Sequence, residues 1–282
     1  MMKTPCLVIN RAATILILLA LSTFNVFSQK LPAVQNTGLL APANIKIDGK
    51  ATEWGDQFQA YNKAVNLWYT LANDDNNLYL CVQAKDPRVI EKILTVGLSL
   101  VINTDGKKSE KAKGNMVINY PVMEWRYVWG ILRNAGDKAN WGGLPPYIHF
   151  SQVLTRTDTT VIAANKGMVT YAKNIKVLGI KESADTLISV YNEEKIHVGT
   201  FFDNKGVYTY ELAVPLQYLG LSANSNPAFA YGIRLDSWGN PFTSTYSIFD
   251  PITHQRGEQQ AGDPDLNSDT FLWSDYPLEK RQ

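Results

Sequence analysis

The chain has 282 residues, 45% of them hydrophobic and 11% aromatic, and its 27 basic and 26 acidic side chains leave a formal net charge of +1. That balance argues against a nucleic-acid partner, since a phosphate backbone is gripped by clustered cations. The densest basic stretch, residues 107–113, is diluted by Glu110 and reads as a solvated loop tip.

Residues 1–28 have the pattern of a secretory signal: Lys3 and Arg11 give a positive start, residues 12–21 an apolar run, and Val26-Phe27-Ser28 a cleavage site. The run is shorter than the roughly 20 residues of a spanning helix. The expectation is therefore an extracytoplasmic protein, periplasmic or secreted, with no transmembrane segment in the mature chain. Cleavage before Gln29 leaves 25 basic against 26 acidic residues and Cys81 as the lone cysteine, read as a small buried hydrophobe on a strand.

Residues 29–44, with Pro32, Gly38 and Pro42, read as an extended lead-in, and residues 45–282 as one β-sandwich domain. Ile45 and Ile47 alternate as at a sheet edge, Asp48-Gly49 is a tight-turn pair, and Trp54 is expected in the core. Val65, Leu67, Tyr69 and Leu71 alternate up to the turn at residues 73–77, and Leu78, Leu80, Val82 and Ala84 alternate back, which predicts a hairpin. Residues 96–102 form the next strand and end at Asn103-Thr104-Asp105-Gly106. Further strands are expected over residues 187–191, 196–202, 207–214, 229–235 and 243–249, with helical turns only at 87–94 and 216–219. Residues 115–181 read as long excursions. Many short strands without strand–helix alternation predict an all-β, jelly-roll-like antiparallel sandwich with long loop insertions.

Several of these segments resemble the family 9 carbohydrate-binding modules, a DOMON-like β sandwich. Ile47-Asp48-Gly49 through Glu53-Trp54 is similar to that family's opening, and residues 77–86 to its next strand. Residues 98–106 are similar to the strand and turn beyond, and Tyr210-Glu211-Leu212-Ala213-Val214-Pro215-Leu216 to a late strand. The resemblance touches both ends of residues 45–276 and covers the middle poorly. It implies a sandwich that binds sugars; no hydrolase domain accompanies it here.

Sugar rings offer apolar C–H faces and hydroxyl rims, so a site for them needs exposed aromatics and planar polar side chains. Trp125, Tyr127 and Trp129 share a face if the segment is a strand; a helix keeps Trp125 with Trp129 and turns Tyr127 away. Burial in the core is the competing reading for each ring. Arg234, Asp236 and Trp238 fall opposite the apolar face of their strand, as does Trp68 on its own, and either a sugar site or a plain surface ion pair fits that placement. Asp263, Asp265, Asn267 and Asp269 alternate as oxygen ligands do in calcium loops, although Ser268 stands where an EF-hand needs Gly; an acidic turn without metal is the simpler reading. Calcium is thus the one candidate ligand ion, and no organic cofactor is expected.

No His-Glu-x-x-His or Gly-x-Ser-x-Gly motif occurs. The leading expectation is an exported, non-catalytic protein that binds polysaccharide or oligosaccharide by aromatic stacking plus polar contacts, in polysaccharide capture or breakdown. A glycan-active hydrolase or lyase on the same sandwich needs two carboxylates about 5–10 Å apart. A haem-binding sandwich needs an axial pair such as His149 or His197 with Met116, Met123 or Met168.

Overall fold

Local chemistry at Asp74 sets the first hairpin. Its Oδ1 accepts from the backbone N–H groups of Asn76 (2.8 Å) and Asn77 (2.7 Å), and its Oδ2 from the Tyr79 hydroxyl. The turn joins β2 (Leu67–Asn73) to β3 (Asn77–Ala84), with Tyr69 opposite Val82. Leu67, Tyr69 and Leu71 point inward and are fully buried, as the period of two requires.

The computed structural model describes residues 30–55, 57–124, 126–128, 131, 158–180, 186–224, 228–237, 246–249, 256–259 and 268–280. Besides the hairpin, its strands are β1 (Ala60–Asn62), β4 (Leu98–Asn103), β5 (Met116–Val122), β6 (Asn174–Leu178), β7 (Leu187–Ser189), β8 (His197–Phe202) and β9 (Tyr208–Pro215). Then follow β10 (Phe229–Leu235), β11 (Tyr246–Phe249), β12 (Arg256–Gln259) and β13 (Thr270–Tyr276). One antiparallel sheet has the order β1-β2-β3-β9-β8 and the other β13-β10-β4-β5-β6-β7, with β11 and β12 as a separate pair. The protein is an all-β antiparallel sandwich.

The inner faces of the two sheets share one apolar cluster, with Tyr69 and Tyr210 from the first and Tyr120 and Tyr231 from the second. Buried hydroxyls need partners. Tyr69 and Tyr231 meet oxygen to oxygen at 2.9 Å, and Tyr231 donates onward to the Gln35 carbonyl at 2.7 Å. The Gln35 side chain in turn bonds both backbone groups of Leu71, so the lead-in satisfies the free edge of β2 where β1 has ended.

Residues 47–54 lie against the outer face of the five-stranded sheet, and Gln59 follows at the edge of β2. Gln59 N–H donates to the Thr70 hydroxyl, and the Trp54 indole to Glu211 of β9. Ile45 and Ile47 therefore do not form the expected sheet edge; no strand includes them, because Asp48 and Gly49 spend their N–H groups on Glu211 rather than on a ladder. Trp54 is buried, and so is Cys81.

Helix α1 (Pro87–Val96) follows from an Asp86 cap, which accepts from Arg88 N–H at 2.9 Å, and from proline in the first turn. It buries Ile90, Ile93 and Leu94. A 3-10 turn at Leu216–Leu219 ends at Gly220. Helix α2 (Asp158–Tyr171) was not expected: it buries Val161, Ala164 and Met168 although its β-branched residues and Gly167 are weak helix formers.

Candidate functional site

The six-stranded sheet shows its outer face at the edge formed by β10 and β13. Arg234 pairs across the ladder with Phe271, and Gly232 with Trp273. Side chains two apart share a face, so Arg234, Phe271 and Trp273 all point away from the core, whereas Ile233, Leu235 and Leu272 point into it. The Trp273 indole lies over Gly232: a Cβ there would sit 3.1 Å from both Cδ2 and Cε3, so the lack of a side chain is what admits the ring. Phe271 remains 48% exposed. Beside the rings, Arg234 Nη2 donates to Asp236 Oδ2 at 3.2 Å, its Nε stands 2.7 Å from Asp236 Oδ1, and its Nη1 lies 3.7 Å from Glu110 Oε1.

This surface joins two aromatic rings to a guanidinium flanked by carboxylates, the combination a sugar's ring face and hydroxyl rim require. Of the residues expected here from sequence, Arg234 and Asp236 are present and joined; Trp238 lies outside the described residues. Trp273 and Phe271 were missed. Asp269 exposes its side chain at the start of β13 and accepts from Ser237 N–H, a bond that holds its carboxyl below the usual carboxylate range. Asp263, Asp265 and Asn267 lie outside the described residues, and among those described no group of three or more metal-ligating side chains forms.

Trp68 does not join this surface. It is half-buried on the outer face of the opposite sheet, with the Tyr61 ring at 4.4 Å and the Lys85 ammonium 4.2 Å above its own ring. The Tyr61 hydroxyl donates to Asn66 Oδ1 (2.8 Å), and Asn66 Nδ2 to Asp86 Oδ2 (3.2 Å). This chain of contacts leads into a cleft of about 170 Å³ at the end of the sandwich, lined by Lys63, Asn66, Asp86, Arg88, Lys92 and Thr270 among others. Burial pushes the Asp86 carboxyl up, but hydrogen bonds from the Arg88 side chain and backbone outweigh it and hold the group below its ordinary value. Lys92 is buried, with its ammonium donating to the Ser268 carbonyl and to the Thr270 hydroxyl.

Trp125 and Trp129 lie outside the described residues. Between them Arg126, Tyr127 and Val128 are helical, which discards the strand arrangement. Tyr127 stacks on Tyr171 of α2 at 4.5 Å and 12°, with the Arg126 guanidinium 4.9 Å from the Tyr127 ring.

Among the described residues the most perturbed carboxyl is Glu211. Burial pushes it up to about 7 against the pull of three N–H donors: Trp54 Nε1 to Oε1 at 2.8 Å, and Gly49 N (2.8 Å) and Asp48 N (3.1 Å) to Oε2. A raised carboxyl is a mark of general acids. Here both oxygens are occupied by the chain itself beneath residues 48–54, so the group clamps that segment. His149 and His254 lie outside the described residues, and His197 is exposed on edge strand β8, whereas Met116 and Met168 are buried in the core. His197 and Met116 stand on different sheets, and Met123 packs partly buried against the core.

No protein-family model matches the chain, and no curated protein matches it significantly.

Proposed function

We propose that this protein binds carbohydrate without cleaving it, through the outer face of the six-stranded sheet. The observation that carries the reading is the Trp273 indole laid over Gly232 beside exposed Phe271 and the Arg234–Asp236 pair. The Trp273 ring, half-buried, is bedded on the strand, so a ligand that stacks on it meets a side chain already fixed by the backbone beneath, at little entropic cost. The guanidinium and carboxylate supply donors and acceptors for hydroxyls at the ring's edge. The resemblance of residues 47–54 and 210–216 to family 9 carbohydrate-binding modules supports the same reading, as does the leader-like start for an exported protein in polysaccharide capture or breakdown.

Binding of neutral oligosaccharides should weaken about tenfold or more in Trp273→Ala, since a lost aromatic stack is worth ~0.5–1.5 kcal/mol beyond its buried area. Isothermal titration of wild type and variant, with matched thermal melts to verify folding, tests this. Equal affinities in the two proteins, or no binding of any glycan by wild type, would reject the reading.

A further inference from the structure

We infer that a second sugar-binding site, for a neutral hydroxyl-rich ligand, lies in a larger cleft of about 440 Å³ at the end of the five-stranded sheet opposite Asp86. The inference shares the carbohydrate reading with the Trp273 face but none of its residues. Three connections meet here: the β2–β3 turn with Asp75 and Asn76, the chain before β8 with Lys195, and the 3-10 turn after β9 with Gln217. The volume falls within the ~300–1,000 Å³ of small-ligand sites.

Each wall is fixed from behind, so the cleft stands ready before any ligand arrives. Asp74 ties down the turn at Asn76 and Asn77. The Asn76 carbonyl accepts from Leu216 N–H at 2.7 Å, and the Leu216 carbonyl from Leu221 N–H at 2.9 Å. On the third side the Asn192 side chain bonds both backbone groups of Ile196, at 3.0 and 2.9 Å. That loop holds Lys195 at φ of +57°, a left-handed conformation seldom adopted by residues with a Cβ. Such backbone persists where its surroundings over-determine it, and it clusters at ligand sites.

The groups the cleft presents are those left over from this bonding. The Asp75 carboxylate, the Asn76 and Gln217 carboxamides and the Lys195 ammonium are exposed, with no hydrogen-bond or ion-pair partner among the described residues. Asp75 and Lys195 carry opposite charges into the lining without pairing, so the site favours neither anion nor cation. An acceptor, a donor and two amides that do both match hydroxyls, each of which donates and accepts. Beneath them Pro215, Leu216 and Leu221 form a small, already buried aliphatic floor. It suits the C–H face of a sugar and leaves no hole for an apolar peptide side chain.

The test is isothermal titration of the full chain with neutral glucan, xylan and galactan oligosaccharides and with a capped neutral tripeptide. The variants are Asp75→Ala, Lys195→Ala and Gln217→Ala, each alone and combined with Trp273→Ala. The three cleft side chains hold nothing else in place, and thermal melts check that folding is intact. Trp273→Ala should keep residual binding of at least one oligosaccharide, and Asp75→Ala or Gln217→Ala in that background should weaken it about tenfold or more. Binding that Trp273→Ala abolishes and the cleft variants leave unchanged overturns this inference and leaves the sheet-face reading standing. Residual binding that all three cleft variants leave unchanged overturns it too. Binding lost in the cleft variants but unaltered in Trp273→Ala supports the cleft and overturns the sheet-face reading instead. Tripeptide binding as tight as any sugar's, and lost in Asp75→Ala, overturns the assignment to sugars. Failure of every oligosaccharide to bind overturns both readings.

Discussion

At Gly49 the backbone has φ of +82°, and a Cβ would lie 2.3 Å from the Thr200 carbonyl carbon and 2.6 Å from Phe201 N. Gly49→Ala should therefore cost about 2–4 kcal/mol, joining left-handed strain to a collision with rigid backbone. A shift in the urea midpoint measures it. Glu211 is the partner of that turn. In Glu211→Gln the amide NH₂ must face at least one of the three N–H donors, so one buried donor loses its acceptor, at about 1–3 kcal/mol. The pH dependence has a definite sign. Burial, against the pull of the donors, raises the folded carboxyl from its ordinary 4.5 to about 7, so the protonated group binds its proton more tightly in the folded state. Its contribution to stability is complete below about 4.5 and is lost as pH rises through about 7. The stability of wild type relative to Glu211→Gln should thus shrink between about pH 5 and about pH 8 in urea melts, and growth of the difference would contradict the assignment.

Helix α1 shows how one cap serves both fold and cleft. Asp86 accepts from Arg88 N–H and also holds Asn66, so Asp86→Ala should destabilise the protein by about 0.5–2 kcal/mol and loosen the wall of the cleft, as thermal melts would record. The elements with a single apolar face were legible in sequence: the β2–β3 hairpin, β4, β9 and β10 stand close to where alternation put them. Strand β13 was not. Leu272, Ser274 and Tyr276 face in, but Phe271 and Trp273 face out, so no period of two shows in the apolar residues. The outward rings that hid the strand are the ones that make it a candidate platform. Helix α2 was hidden differently: its exposed side carries Ile162 and Val169, 65% and 70% exposed, which blurs the contrast between its faces. At the cleft, Lys63, Arg88 and Lys92 are brought together by a turn and a helix that sequence spacing does not relate, so nothing linear marked them.

Across the whole molecule the sandwich presents an aromatic, nearly charge-balanced surface on the outer face of β10 and β13, and a cleft at their ends where Arg88 is paired with Asp86. Neutral sugar on the sheet face should bind with little sensitivity to salt, as titrations at low and moderate ionic strength would show. The sheet face is the centre of the functional reading, and hydroxyl-radical footprinting with the best-binding neutral oligosaccharide addresses it at residue resolution. Saturation should protect Trp273 and Phe271 from oxidation while exposed Tyr191, remote in sequence and on edge strand β7's far turn, keeps its reactivity. Unchanged labelling of Trp273 and Phe271 under saturating sugar would contradict it.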